Sequence, residues 1–179
     1  MDELPRGTTV TSDILIKYDK VIRAGNFGNY SESELKAYNE FLDKKSSLIL
    51  ISEFLRNGAR DKLAERIGIP FNGIARGEVK IFADHPITKG VFQFYYNAGS
   101  VVLDVSSNPM IEVLGCLAED TPVDLSNGKL SEQIEPPDGI AAMGILHHPK
   151  AKIFFIGDIN GIEGMPQPLI SNLVLWAFE

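Results

Sequence analysis

The run KIFFIGDINGIEG, residues 152–164, decides how this chain is read. Ile153 to Ile156 are four apolar residues in a row, the pattern of a short strand buried on both faces. The run breaks at Gly157 and Asp158, followed by Asn160, Gly161 and Gly164, which is turn chemistry at the C-terminal end of a strand. In open α/β sheets that end of the strands is where ligands bind. A calcium loop does not fit, because Gly161 comes two positions too early after Asp158 and Asn160. A dinucleotide fingerprint does not fit either, since the glycines stand at 157, 161 and 164. Asp158 is therefore either a ligand group or the cap of its own turn.

Upstream, HHPKA at 147–151 separates this strand from another, about Ile140 to Leu146, and reads as a hairpin tip. His147 and His148 are adjacent, so on a strand they point to opposite faces and do not grip one metal together. Downstream, a helix is expected from Pro168, a good first helical residue, to the end. Its segment PLISNLVLWAFE is apolar almost all round, and such a helix is buried on all sides. Leu175, Trp176 and Phe178 are therefore expected to meet a partner subunit or a neighbouring domain.

The first third alternates strand and helix. Lys20 to Ala24 is a short strand stopped by Gly25, and Ser31 with Glu34 forms a capping box for a helix carrying Leu35, Tyr38, Phe41 and Leu42. SLILI at 47–51 is a second buried strand, with Glu53 just past its end. A helix over about 60–67 stops at Gly68. The middle differs: EVKIFA, VFQFYY, SVVLDV and IEVLGCLA are aromatic and β-branched runs divided by Pro, Gly, Asn and Asp. Residues 118–139 are acidic and turn-rich, a surface excursion. Four aromatics in FQFYYN could form a sugar platform, but the alternation favours a strand with one packed face.

The composition sets outer limits. A chain of 179 residues suits one domain, 44% apolar and 23% charged is ordinary for a globular protein, and a net charge of −7 disfavours a nucleic-acid backbone. The one cysteine, Cys116, excludes an internal disulfide and lies in an apolar run where a thiol behaves as a small hydrophobe. There is no apolar run of spanning length and no signal-peptide pattern, so a cytoplasmic location is expected.

The order YDKVIRAG, SESELKAYNEFLDKKSSLILISE, IGIPF, HPITKG, GSVV, KIFFIGD and NLVLW resembles the class I glutamine amidotransferase-like superfamily, in its non-catalytic, ThuA-like or uncharacterised branch. The resemblance covers about residues 8–179. It implies a three-layer, flavodoxin-like α/β fold: a mostly parallel sheet, helices on both faces and an antiparallel strand-rich extension. It also implies that the first family strand, usually central, is missing, so that either the chain is a fragment, or the sheet is smaller, or a partner chain fills the gap.

The family's chemistry does not carry over. Where amidotransferases hold a cysteine on a sharp turn, this chain has Ser52 and Glu53, and where they hold a His and a Glu it has Gly157 to Asn160. No metal or cofactor is expected. The reading is a non-catalytic domain that binds a partner protein or a small ligand, as an oligomer. The alternative is a hydrolase acting on a sugar or other small metabolite, with Glu53, His85 and Asp158 as its catalytic candidates. Asn26, Glu53, Asp158 and Asn160 are the expected ligand-binding residues. His85 has a bland reading too, as the cap of an HP turn.

Overall fold

The structure, a computed structural model, describes residues 2–5, 7–25, 30–53, 60–118, 120–125, 139–160 and 164–179. Within them the chain forms α1 (Ser12–Leu15), β1 (Lys20–Ala24), α2 (Glu32–Leu42), β2 (Ser47–Ile51), α3 (Lys62–Ile67), β3 (Gly73–Phe82), β4 (Phe94–Val101), β5 (Ile111–Leu117), β6 (Val123–Leu125), β7 (Ile140–His147), β8 (Lys152–Ile156) and α4 (Gln167–Phe178). The strands make one sheet in the order β1-β2-β8-β7-β5-β3-β4, with β6 beside β3.

Helices lie on both faces, because the buried strands divide their side chains between two cores. In β2, Leu48 and Leu50 join Leu35, Phe41, Leu63, Ile153 and Phe155 under α2 and α3. Ile49 and Ile51 point the other way and join Phe154, Ile156, Leu169, Leu173 and Ala177 under α4. The Ser31–Glu34 capping box starts α2 as the sequence predicts. At α3, Asp61 is the N-cap and Gly68, at φ +94°, closes the helix.

Two expectations are corrected. The sheet is mixed and not mostly parallel: β1–β2 and β2–β8 are parallel, and the other five pairings are antiparallel. The short HHPKA hairpin forces β8 to lie antiparallel to β7, and only a longer crossover could have avoided that. Nor does a partner chain fill a gap at the centre, one of the three alternatives above, since β2 pairs directly with β8 over five residues and the sheet is continuous there.

VFQFYY and SVVLDV, read as two strands, are one. Strand β4 runs through Asn97, Ala98 and Gly99 by means of a bulge: Ala75 pairs with Gly99 and Gly77 with Tyr96, so Asn97 and Ala98 together oppose Arg76. Ala98 takes φ +64°, a left-handed conformation that a turn-like sequence supplies without ending the strand. Likewise β3 begins at Gly73, upstream of EVKIFA. Most of the expected surface excursion, 126–138, lies outside the described residues, although Val123–Leu125 forms β6.

Candidate functional site

The C-terminal ends of β2 and β8 meet the bulged end of β4. Ser52 donates its backbone N–H to the Ile156 carbonyl at 2.8 Å, and Ser100 donates its own to the Gly157 carbonyl at 2.8 Å. The Ser100 hydroxyl donates to the Glu53 carbonyl at 2.7 Å, and the Tyr96 hydroxyl donates to the Ser100 carbonyl at 2.5 Å. The packing is so close that a Cβ on Gly157 would collide with the Ser100 carbonyl oxygen, and one on Gly99 would collide with Cβ of Asp158. These two glycines allow the strand ends to touch.

Asp158 lies inside this joint with no exposed surface. One carboxylate oxygen accepts the N–H of Asn97 at 2.5 Å, and the other accepts the N–H of Asn160 at 2.9 Å. Both partners are backbone amides, so Asp158 caps its own turn and ties it to the β4 bulge. Burial, with the Asp158 charge as the next cause, pushes the phenol of Tyr96 well above its ordinary range.

Above the joint is a cavity of about 680 Å³ lined by Glu53, Arg76, Asn97, Asp124 and Asn160, with Ala98 and three apolar residues completing its wall. Two predicted ligand-binding residues, Glu53 and Asn160, thus stand together on one cavity, and Asp158 lies beneath them. Asn26, the remaining one, lies outside the described residues. Arg76, Asn97 and Asp124 escape sequence reasoning, because the bulge and the short β6 that bring them there have no clear signal.

Among the described residues, the side chains of Arg76, Asn97, Asp124 and Asn160 form no hydrogen bond or ion pair with the protein. Groups of three or more metal-binding side chains are likewise absent among the described residues.

His85 is elsewhere. Its Nδ1 accepts the N–H of Ile87 at 3.1 Å and caps the 3-10 turn Pro86–Thr88, which α4 holds through Asn172 Nδ2 on the carbonyls of Ile87 and Lys89. It does not line the cavity. His147 bonds Glu112 at 3.0 Å, and His148 accepts the N–H groups of Lys150 and Ala151, as a hairpin tip requires.

Ser52, on the turn after β2, has no exposed surface. Its hydroxyl donates to Asp61 Oδ2 at 2.9 Å, the same oxygen that accepts Arg23 Nη1 at 2.8 Å. The other oxygen of Asp61 accepts the N–H groups of Leu63 and Ala64, each at 3.1 Å, at the start of α3. The Arg23 guanidinium also lies 4.9 Å from the centre of the Tyr30 ring. Burial raises both neighbouring phenols, Tyr30 far above its usual value and Tyr38 to about 12.

No family model matches the chain, and no curated protein does. Solved structures do match. The N-terminal domain of mmIFT52 superposes with a TM-score of 0.58 at 14% identity, covering 96% of this chain and 80% of that one. A ThuA-like protein from Bacteroides uniformis gives 0.55 at 14% identity, covering 94% and 71%. A Thermoplasma acidophilum protein described as one subunit of GMP synthase gives 0.54 at 11% identity, covering 95% and 78%. The chain shares its α/β fold with these proteins. At these identities the likeness concerns the fold alone.

Proposed function

We infer that this chain is a non-catalytic binding domain of glutamine amidotransferase-like fold, one domain over residues 1–179, which takes a small ligand at the joint of β2, β4 and β8. The observation that carries the reading is the state of Ser52. A nucleophile must be exposed beside a base that can take its proton, whereas this hydroxyl is fully buried and its acceptor is the Arg23-paired, α3-capping Asp61. The polar groups that do face solvent, on the cavity above, are suited to holding a molecule.

The hydrolase reading requires Glu53, His85 and Asp158 to act on one substrate. The capping role of Asp158 and the separate turn of His85 argue against it. A cytoplasmic location fits the chain, in which no helix among the described residues is long and apolar enough to cross a membrane.

The second part of the proposal is self-association through α4. Leu175 and Phe178 are 64% and 70% exposed, while Trp176 is half-buried, with Lys152 Nζ 5.4 Å from its ring centre and donating to its carbonyl at 2.8 Å. Leu175 and Phe178 are thus the contact residues of this proposal, and Trp176 is their support.

The test of the binding reading is to incubate the protein and its Glu53→Gln variant with ester, amide and glycoside substrates while following both products and binding. The expected result is saturable binding with no turnover by either protein. Turnover that disappears in Glu53→Gln would overturn it.

A further inference from the structure

Among the described residues the sheet ends at β1, whose one neighbour is β2. Two bonds flanking this ladder fix which backbone groups are spent. Ser47 donates its N–H to the Asp19 carbonyl at 2.8 Å, and Gly25 donates its own to the Ile51 carbonyl at 3.1 Å. In a parallel ladder every second residue bonds the same neighbour, so Val21 and Arg23 also turn their backbone groups to β2. Lys20, Ile22 and Ala24 turn theirs outward, and among the described residues nothing bonds them. Such a row of unpaired N–H and carbonyl groups is a template for another strand.

The side chains of the same three residues lie on the α4 face. Val21 packs against the core under α2 and α3, and Arg23 reaches Asp61 on that side, so alternation sends Lys20, Ile22 and Ala24 to the other. Lys20 agrees, with its Nζ 4.5 Å from the ring centre of Phe178. Ile22 is 51% exposed, and on α4 Val174 is 45% exposed beside the more open Leu175 and Phe178. Val174 and Phe178 are four residues apart and so share one side of the helix, the side that overhangs β1. The free backbone edge and the exposed apolar stripe are thus one surface.

We infer that this surface takes a second copy of the chain, with β1 pairing antiparallel to β1 about a twofold axis through Ile22. The inference rests on the self-association reading above and adds the strand, the register and the symmetry. About that axis Ile22 exchanges two backbone bonds with Ile22 of the second copy, and Lys20 pairs with Ala24 of the second copy. All the outward groups are satisfied at once. Like charges are not opposed, since Lys20 faces an alanine and α4 has no charged residue from Gln167 to Phe178. Each copy carries a net −7, so two copies repel, and an almost uncharged face is where they meet at least cost. The axis stands perpendicular to the sheet, which puts both α4 helices on one face of a continuous sheet, with Val174 and Phe178 beside the seam. A lone foreign strand bonds the edge but leaves those two side chains uncovered, whereas a second copy covers both. A standard interface buries roughly 800 Å² per partner, more than a short edge strand supplies, so the α4 stripe is a necessary part of it.

Cross-linking and sedimentation test the register. In a Cys116→Ala background, Ile22→Cys puts two thiols on residues whose Cα atoms stand about 5.5 Å apart across the axis, within disulfide reach. With oxidised glutathione as the oxidant, this variant is expected to form a covalent dimer. Lys20→Cys is expected not to, because its two copies are offset by about 14 Å along the strands, but to cross-link when mixed with Ala24→Cys. Ile22→Lys sets two like charges on the axis and is expected to weaken association about tenfold in sedimentation. Ile22 is half exposed, so these variants leave the core intact. Association that persists while Ile22→Cys fails to cross-link, or that is unchanged in Ile22→Lys, would overturn the β1 pairing and leave self-association through α4 standing. A wild-type chain that is monomeric at every concentration would overturn both and leave the edge to a strand of another protein.

Discussion

Asp158 on the turn after β8 accepts the backbone N–H of Asn97 at 2.5 Å, joining residues 61 positions apart in the chain. The bond links the C-terminal end of a parallel strand to the bulge of an antiparallel one. It turns a residue that looks like a ligand group into the brace of a cavity wall. Replacing Asp158 with Ala leaves two amides without their carboxylate, and charge-assisted bonds of this kind are worth roughly 1.5–3 kcal/mol each. The expected outcome in urea denaturation is a loss of about 3 kcal/mol, together with shifted backbone amide signals at Asn97 and Asn160. A variant of unchanged stability would remove the bracing role.

The Arg23–Asp61 pair is a second brace, 2.8 Å long, with side chains 5% and 0% exposed. Breaking a buried pair from one side costs about 3–5 kcal/mol, because the remaining charge stays buried. Asp61→Asn is expected to fall in that range, and Asp61→Ala about 1 kcal/mol beyond it through the lost helix cap. Equal stabilities for the two variants would show that capping adds nothing.

Ser52 can be examined by chemistry. In a Cys116→Ala background, Ser52→Cys is expected to resist thiol reagents in the folded protein and to react once denatured, because position 52 is fully buried. Rapid labelling of the native protein would place an accessible nucleophile at the turn after β2 and revive the enzymatic reading.

Alkaline pH probes the two tyrosine clusters. Tyr30, Tyr38 and Tyr96 all have phenols raised by burial, Tyr38 to about 12. An acid whose folded value exceeds its unfolded value of about 10 keeps its proton longer in the native state. The stability it contributes is therefore complete below about pH 10 and is lost as pH rises through the folded value. Phenolate absorbance should show these three tyrosines ionising only as the protein unfolds. Their ionisation in a still-folded chain would contradict the burial described above.

Self-association through α4 predicts a concentration-dependent sedimentation profile that shifts to the monomer in a Leu175→Ala/Phe178→Ala variant. Both side chains are well exposed, so the fold should be kept. An identical profile for the two proteins would remove this interface.

Much of the frame is legible in the chain. The runs SLILI and KIFFI, the capping box at Ser31 and the HHPKA tip each depend on local residues, and each forms at the expected place. Strand direction is not legible in the same way, because two apolar strands look alike whichever way they pair, and direction is set by the connection between them. The site is half legible. Glu53 and Asn160 follow buried strands and can be placed by rule, whereas Arg76, Asn97 and Asp124 reach the cavity through a bulge and a strand of three residues. Asn-Ala-Gly reads as a turn in sequence, and only the close contact with Gly157 and Asp158 makes it part of a strand.

Whether the cavity above Asp158 binds a small molecule without transforming it can be read from backbone amide spectra. These would be recorded across a fragment collection, with each mixture checked afterwards for products. Perturbations are expected to gather at Glu53, Arg76, Asn97, Asp124 and Asn160, with every fragment recovered unchanged. Perturbations gathered elsewhere, or a fragment converted at this cavity, would contradict non-catalytic binding at the joint of β2, β4 and β8.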